Sequence, residues 1–439
     1  MAGAFNNIHP GLSHAEALRL LTVPLDQLDS GSDVYMAASH LINFPGEESE
    51  AALLTLVADE RSDQPVRLAR RKAVEVLARL KCQQAIAPIG ACLDSDDVYL
   101  IENAAWALQQ LDCQSPSLHQ RLIELLADER QNRRVVVQAL AGLQVKAALE
   151  PVQALTSDLT PGVRGAALAA VAQLSDRLDG LEPLAEHLLL ANQMDRQAAI
   201  QDIIDAGDVR LLPAVLTAPV SPVFRMRALR HFWDAAAELP DFDRLAALDQ
   251  LLLDAPHGLQ LVHQYDNPPA DEFLVQEFFG TDFSRCYLAL KTLEQRDPVT
   301  LWPLLQQRWD EEAHNDYGAH YFFVRLFGML SNWPEAAQAW IVDLLEEAAR
   351  NQRPQFMKSK PAAILSLEQL APERLLVCLP EWLNPESMPF WECRYVALLA
   401  IERLFSQDQQ QWRQHLLLLL EDPDARVVLR AQQVLAVQG

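Results

Sequence analysis

Hydrophobic positions recur along this chain with a period of about 30 residues. One column has a large apolar residue in each period, at spacings of 31, 32, 31, 32 and 29: Leu77, Leu108, Leu140, Val171, Ile203 and Phe232. A second column follows three residues later: Leu80, Leu111, Leu143, Leu174, Ala206 and Ala235. Apolar residues at helical spacing lie between acidic or Pro/Gly turns. This pattern predicts an all-α fold, a curved α-solenoid of HEAT-like helical pairs that bury their apolar faces against their neighbours.

The regularity of the pattern divides the chain into three predicted parts. Residues 1–29 are expected to form a cap with one helix, and residues 30–239 the regular HEAT-like repeats. Residues 240–439 are expected to form irregular helical repeats and a C-terminal cap, because the spacing lengthens to 34–40 residues. Seven of the nine Trp follow residue 300, so we expect a functional site in this irregular half.

Composition and charge restrict the class of protein. No apolar run reaches the roughly 18 residues that a membrane span needs. The N-terminus resembles no secretory signal, and the six cysteines lack CxxC spacing. We therefore expect a cytoplasmic protein with reduced, buried thiols. The net charge of −24 argues against nucleic-acid binding. The basic segment 67–72 is interpreted as a helix face that nearby acids balance.

Motifs that would identify a common enzyme class are missing. The sequence has no GxGxxG, P-loop, HExxH or GxSxG, so we expect no dinucleotide cofactor and no NTPase, zinc-protease or serine-hydrolase chemistry. His257 and His263 are six residues apart, which does not fit one helix face, and no metal site is predicted.

Two helical segments carry the most distinctive side chains. Tyr99, Asn103 and Trp106 form one stripe of a helix, which would suit a flat conjugated ligand or pack against the next repeat. The segment 309–325 has two His, two Tyr and acids ahead of a helix. Its candidates are Asp316, Tyr317, His320, Tyr321 and Arg325, and the alternative is a polar rim.

Two further candidates place an Arg near an aromatic residue at a helix start. They are Arg225 in the segment 222–227, and Arg285 with Asp282 in the segment 282–287. An Arg side chain binds carboxylates with two hydrogen bonds and stacks on aromatic rings. The alternative is pairing with local acids. Cys286 is interpreted as a buried thiol.

Two segments resemble a known family. Residues 94–108, DSDDVYLIENAAWAL, resemble the repeat of the E/F-type phycobilin lyases of cyanobacteria and red algae, and residues 32–45 resemble its phycoerythrin-specific branch. The resemblance implies an enzyme that binds an open-chain tetrapyrrole and attaches it to a cysteine of a phycobiliprotein subunit by a thioether bond. Some members also convert phycoerythrobilin to phycourobilin, and the His-Cys motif of the two-chain isomerases has no counterpart here.

The candidate residues suit this implied chemistry. The bilin rings would need aromatic walls, the propionates would need Arg, and the pyrrole N–H groups would need a carboxylate. The expected bilin-binding residues are therefore Tyr99, Asn103, Trp106, Arg225, Asp282, Arg285, Tyr321 and Arg325. Tyr317 and His320 are the expected acid and base, with Asp316 orienting one of them. The expected substrate is phycoerythrobilin, the partner is a phycoerythrin subunit, preferably alpha, and no cofactor is required.

Two alternatives compete with the lyase. One is a non-catalytic adaptor in phycobilisome assembly or degradation, which need not bind free bilin. The other is a HEAT scaffold unrelated to pigments, which predicts no pocket.

Overall fold

The computed structural model describes residues 11–404 and 412–436, which form α-helices joined by short turns and contain no strand. The chain divides into two compact units. Unit 1 comprises residues 1–184 and 205–207, and unit 2 comprises residues 185–204 and 208–439. These units are defined by their compactness, whereas the predicted parts 1–29, 30–239 and 240–439 are defined by the regularity of the repeats. The units therefore do not test those parts, which stay predictions. Among the described residues, no helix is long and apolar enough to cross a membrane.

Unit 1 is a stack of helical pairs. Helices α2, α4, α6, α8 and α10 contact each other in chain order, and the preceding helix packs against each of the last four. The helices are α1 (His14–Thr22), α2 (Asp33–His40), α3 (Glu47–Val57), α4 (Gln64–Arg79), α5 (Ile86–Ala91), α6 (Val98–Gln110), α7 (Pro116–Leu125), α8 (Arg133–Gly142), α9 (Leu149–Ala154) and α10 (Pro161–Ser175). Two of the three unit boundaries lie within helices, in α11 (Glu182–His187) and α12 (Gln193–Ala206).

Unit 2 repeats this plan, with α17, α19, α21, α23 and α25 in contact in chain order. Its helices are α13 (Leu212–Thr217), α14 (Pro222–His231), α15 (Arg244–Leu253), α16 (Asp271–Glu277), α17 (Phe283–Leu293), α18 (Pro298–Arg308), α19 (Tyr317–Met329), α20 (Glu335–Arg350), α21 (Ser359–Leu370), α22 (Pro372–Trp382), α23 (Trp391–Leu404), α24 (Arg413–Leu418) and α25 (Ala425–Ala436). A π-helical turn, Trp309–Ala313, joins α18 to α19.

Short 3₁₀ turns complete the described secondary structure. They are Leu25–Gln27, Leu41–Asn43, Gln83–Ala85, Cys92–Asp94, Lys146–Ala148, Leu155–Ser157, Val209–Leu211, Ala235–Glu238, Pro256–Gly258, Pro354–Phe356 and Leu419–Glu421.

The sequence period comes from a repeated way of ending a helix. After α4, Lys81 adopts a left-handed φ of 60°, and the N–H of Cys82 donates to the carbonyl of Leu77 at 3.1 Å. Cys113 donates in the same way to Leu108 at 3.0 Å. This six-residue closure is the Schellman motif, whose first carbonyl belongs to a core residue. At Leu77 and Leu108 the residue of the first hydrophobic column therefore starts the closure. The α-solenoid prediction is confirmed.

The core positions agree with the sequence pattern. Leu77, Leu108, Leu140 and Ile203 are fully buried. All six cysteines are free and buried, as predicted.

In unit 2 a glycine brings the site-bearing helices α19 and α21 together. An ideal Cβ on Gly328 would lie 2.3 Å from Ser366 Oγ and 2.6 Å from its Cα. Ser366 Oγ in turn donates to the carbonyl of Val324 at 2.9 Å. This close approach fixes the position of α19, which carries most of the predicted catalytic residues.

Candidate functional site

The aromatic stripe predicted on α6 lies in unit 1 and carries cations. The Tyr99 ring is exposed, with the Arg71 guanidinium 4.7 Å from its centre, and Arg79 lies 5.9 Å from the centre of Trp106. Asn103 donates to the carbonyl of Arg71 at 3.2 Å. The stripe is thus a set of contacts between α4 and α6, in which the Tyr99 side chain stays exposed.

The basic segment 67–72 is balanced by acids, as interpreted. Arg67 pairs with Asp96 at 2.9 Å, and Arg71 pairs with Asp97 through two bonds of 2.7 and 2.8 Å. The pKa of the Asp97 carboxyl is lowered because the bond and charge of Arg71 outweigh its partial burial.

Three predicted ligand-binding residues instead meet at a buried carboxylate in unit 2. Arg225 donates to Asp254 Oδ1 at 2.5 Å, while Tyr287 donates to Asp254 Oδ2 at 2.5 Å. Tyr321 donates to the same Oδ2, and Arg325 donates to the Asp254 carbonyl at 3.4 Å. We call these five residues the Asp254 network.

Burial makes the Asp254 network a closed polar cluster. Burial, with the nearby Asp254 charge, raises the pKa of both Tyr287 and Tyr321 well above the ordinary tyrosine value. The tyrosines therefore stay protonated and donate to Asp254. A bilin propionate would have to displace Asp254 to reach Arg225, so any part of Arg225 in bilin binding would require this pair to open.

The Asp282 and Arg285 side chains have protein partners. Asp282 caps α17 by accepting from the N–H of Ser284 at 2.9 Å, and it also pairs with the buried Arg196 and with His263. Arg285 pairs with Glu277 at 2.7 Å. The alternative of local pairing therefore describes both residues, and any part in bilin binding would require these pairs to open.

An open cleft of about 510 Å³ lies between the π-turn and α20. This size is within the range of small-molecule sites. Its lining combines two indole rings, two imidazoles, one guanidinium, three carboxylates and smaller groups: Trp309, Asp310, His314, His320, Trp340, Asp343, Leu344, Glu347, Ala348, Asn351 and Arg353. We call it the Trp309 cleft.

The π-turn shapes this cleft. The N–H of His314 donates to the carbonyl of Trp309 at 3.2 Å, five residues earlier, and the Nδ1 of His314 approaches the same carbonyl at 3.0 Å. Since a carbonyl can only accept, Nδ1 carries the proton in neutral His314 and Nε2 is the acceptor. Widened helical turns of this kind occur frequently at functional sites.

His320 forms part of the cleft wall. Its ring lies 4.3 Å from the Phe356 ring and 5.0 Å from the Trp309 ring, centre to centre. Its Nδ1 is 2.9 Å from Ser359 Oγ at the start of α21. Burial, with the nearby positive charge of Arg353, lowers the pKa of His320 to about 3. The imidazole is therefore neutral near pH 7.

Tyr317 and Asp316 lie outside the cleft lining. Asp316 is the N-cap of α19, accepting from the N–H groups of Gly318 and Ala319 at 2.8 and 2.7 Å. Tyr317 is 57% exposed. His320 is one helical turn after Tyr317, about 60° around α19, but it is buried in the cleft wall whereas Tyr317 faces solvent. The Asp316 carboxylate therefore caps the start of α19 instead of orienting Tyr317 or His320, the predicted acid and base.

Sequence reasoning missed four important side chains. Trp340 and Arg353 line the cleft, Asp254 is the centre of its network, and Lys358 lies over the Tyr317 ring. The aromatic enrichment beyond residue 300 was the one available signal, and it pointed to Trp340.

No group of three or more metal-ligating side chains occurs in the described part of the chain. His257 and His263 contact different acids, Glu294 and Asp282.

Comparisons with known proteins find relatives that are similar to most of this chain. The chain is 41% identical over 412 residues to the bilin biosynthesis protein CpeY of Synechococcus sp. strain WH8020, covering 93% of this chain and 98% of that protein. It is 35% identical over 395 residues to the uncharacterized phycocyanin operon protein Y of Pseudanabaena tenuis, covering 89% and 92%. No family model matches. Among solved structures, the complex of CpcE and CpcF of phycocyanin lyase from Nostoc is 23% identical, with a TM-score of 0.47 over 57% of this chain and 99% of that chain.

Proposed function

Since this chain belongs to the E/F-type phycobilin lyase family, we propose that it binds phycoerythrobilin in the Trp309 cleft and attaches it to a cysteine of a phycoerythrin subunit. The alpha subunit is the proposed acceptor. The observation that carries this proposal is the composition of the cleft, which combines indole walls, cations and carboxylates within about 510 Å³.

Each chemical feature of a bilin has a counterpart in the cleft. The conjugated rings are flat and apolar on their faces, and the indoles of Trp309 and Trp340 offer matching surfaces. The two propionates are anionic, and Arg353 supplies the guanidinium of the lining, which can bind a carboxylate with two hydrogen bonds. The pyrrole N–H groups need acceptors, which the carboxylates of Asp343 and Glu347 supply.

The neutral His320 acts in this proposal as a wall and hydrogen-bonding group. An imidazole whose pKa is about 3 cannot deliver a proton efficiently near pH 7. The enclosed ring instead positions Trp309 and Phe356. His314, with its Nε2 free to accept, is the better placed imidazole for a transferable proton.

Isomerisation to phycourobilin is a separate step in the proposal. Moving a double bond requires a proton at one carbon and its loss from another. The exposed Tyr317 hydroxyl, which is outside the cleft lining but one helical turn from His320 of the cleft wall, is the proposed proton donor. Tyr317→Phe should then change product identity more than bilin binding.

Paired substitutions test the placement of the bilin. Arg353 lines the cleft, whereas Arg285 lies on α17, outside the lining, in an ion pair with Glu277. We expect Arg353→Gln to weaken binding of free phycoerythrobilin by about 10-fold, as for the loss of one charged hydrogen bond. The matched control Arg285→Gln should leave the Kd unchanged, as measured by fluorescence titration. The opposite ranking would move the site to α17.

A further inference from the structure

Lys358 occupies a position that two neighbouring helices give to aspartate. α17 and α19 begin after Asp282 and Asp316, whose carboxylates accept backbone N–H groups. α21 begins after Lys358, which has no acceptor to offer. A cation at a helix N-terminus also opposes the helix dipole. Lys358 is therefore unfavourable for the start of α21, and helix capping does not explain its presence.

Aromatic rings surround the amine instead of carboxylates. Nζ lies 4.7 Å from the ring centres of Phe283 and Tyr317, and 5.2 Å from that of Tyr321. In the part of the chain that the structure describes, no carboxylate pairs with it. Burial therefore dominates, and it lowers the pKa of Lys358 to about 8.

Charged and titratable groups approach Lys358 from each neighbouring element. Those that interact with it electrostatically or through a ring contact are Asp254 after α15, Cys286 on α17, Asp316, Tyr317, His320 and Tyr321 at or on α19. The acids favour the protonated amine, but the enclosed position outweighs them. Lys358 remains partly accessible, and Tyr317 beside it is exposed, so an incoming side chain can reach this edge of unit 2.

We propose that Lys358 takes the proton from the acceptor cysteine and returns it to the bilin, which makes it a catalytic residue of the ligation; this rests on the proposed lyase function. The neutral amine accepts the proton of the acceptor thiol. The thiolate forms a C–S bond to the exocyclic carbon of ring A as the π bond breaks. The ammonium then protonates the neighbouring ring carbon. The sum is addition of S–H across one double bond, with no oxidant or reductant.

The amine suits this step better than the other bases near α19. A free thiol has an ordinary pKa of about 8.5, and a base is most efficient when its pKa is close to that of the group and the working pH. His320 is enclosed between rings with Nδ1 at Ser359. Lys358 combines partial access with an amine that loses its proton near neutrality.

The test compares ligation rates of Lys358 variants over pH 6–10, with bilin and acceptor subunit saturating. The wild-type rate should rise with a midpoint near pH 8 and reach a plateau above about pH 9. Lys358→Met and Lys358→Arg should lose about 100- to 10,000-fold, the usual contribution of a general base, and lose the plateau while still binding bilin. Lys291→Met on α17, with no charged partner among the described residues, should match wild type. An unchanged pH profile in Lys358→Met would overturn the proposal.

A second measurement avoids substitutions that disturb folding. Amine-reactive labelling of the wild-type protein, with mass spectrometry of its six lysines, should show that ligation falls in proportion to Lys358 modification while bilin stays bound. Full ligation by protein modified at Lys358 would refute the role. If unmodified wild type ligates no bilin to any subunit, the proposed lyase function itself has failed.

Discussion

Nδ1 of His320 lies 2.9 Å from Oγ of Ser359, and this contact joins the wall of the Trp309 cleft to the start of α21. Lys358 is the residue before Ser359, so the proposed binding group and the proposed catalytic amine are placed by the same pair of helices. The packing of α19 on α21 therefore controls both parts of the site.

Acid should destabilise unit 2 partly through His320. Its folded pKa of about 3 lies below the unfolded value of about 6.5, so the unfolded state binds more protons between these values. The stability is fully present above pH 6.5 and falls as pH decreases toward 3, by up to about 1.4 kcal/mol per pH unit. Urea unfolding of wild type and His320→Gln at pH 7 and 5 measures this, and equal pH dependence in both would contradict it.

Removing the charge of Asp254 should be costly. Asp254→Asn leaves the buried Arg225 guanidinium without its counter-charge, and we expect a loss of about 3–5 kcal/mol of unfolding free energy. Asp343→Asn breaks a solvent-exposed pair with Arg374 and should lose less than about 1 kcal/mol. Chemical denaturation compares the two. Similar small losses would mean that the Asp254 network is not closed to water.

A methyl group at Gly328 should force α19 and α21 apart. The Cβ of Gly328→Ala would meet the Ser366 backbone at 2.6 Å, and overpacking of this kind costs about 1–3 kcal/mol. Bilin affinity should fall as well, because α19 carries His320. Gly258→Ala meets no atom within 4 Å and serves as the control. Thermal unfolding with bilin titration tests both effects, and a neutral Gly328→Ala would refute the close packing.

The helix-ending motif predicts an unusual ranking at one position. Gln144 has a φ of 55°, where glycine is favoured over residues with a Cβ by about 1–2 kcal/mol. Gln144→Gly should therefore be more stable than Gln144→Ala by about 1 kcal/mol in urea unfolding, the reverse of the order inside a helix. A more stable alanine variant would show that the motif does not form in solution.

Sequence alone predicted the repeats because their signal is local. Leu77 and Leu80 hold fixed places in one helix-ending motif, which returns after α6 and α8 at Leu108 and Leu140. The candidate site was less predictable because its members come from distant elements. Trp340 and Arg353 reach the cleft from α20 and the loop after it, and Asp254 follows α15.

The contacts that Asp316 and Arg225 make in the structure differ from their predicted roles, and each difference has an identifiable reason. The sequence predicts Asp316 as a group that orients Tyr317 or His320, whereas the backbone N–H groups of α19 hold its carboxylate. The sequence indicates Arg225 through its charge and its aromatic neighbour Phe224. Its partner Asp254 is 29 residues away in sequence, which periodicity alone does not specify.

The most direct test of the account is co-expression of this protein with phycoerythrobilin-synthesising enzymes and a phycoerythrin alpha subunit, followed by absorbance of the purified, denatured subunit. The account predicts covalent phycoerythrobilin on the subunit, or phycourobilin if the double bond also moves. Absence of covalent pigment on alpha or beta subunits, with no free bilin bound to this protein, would contradict it and favour the adaptor.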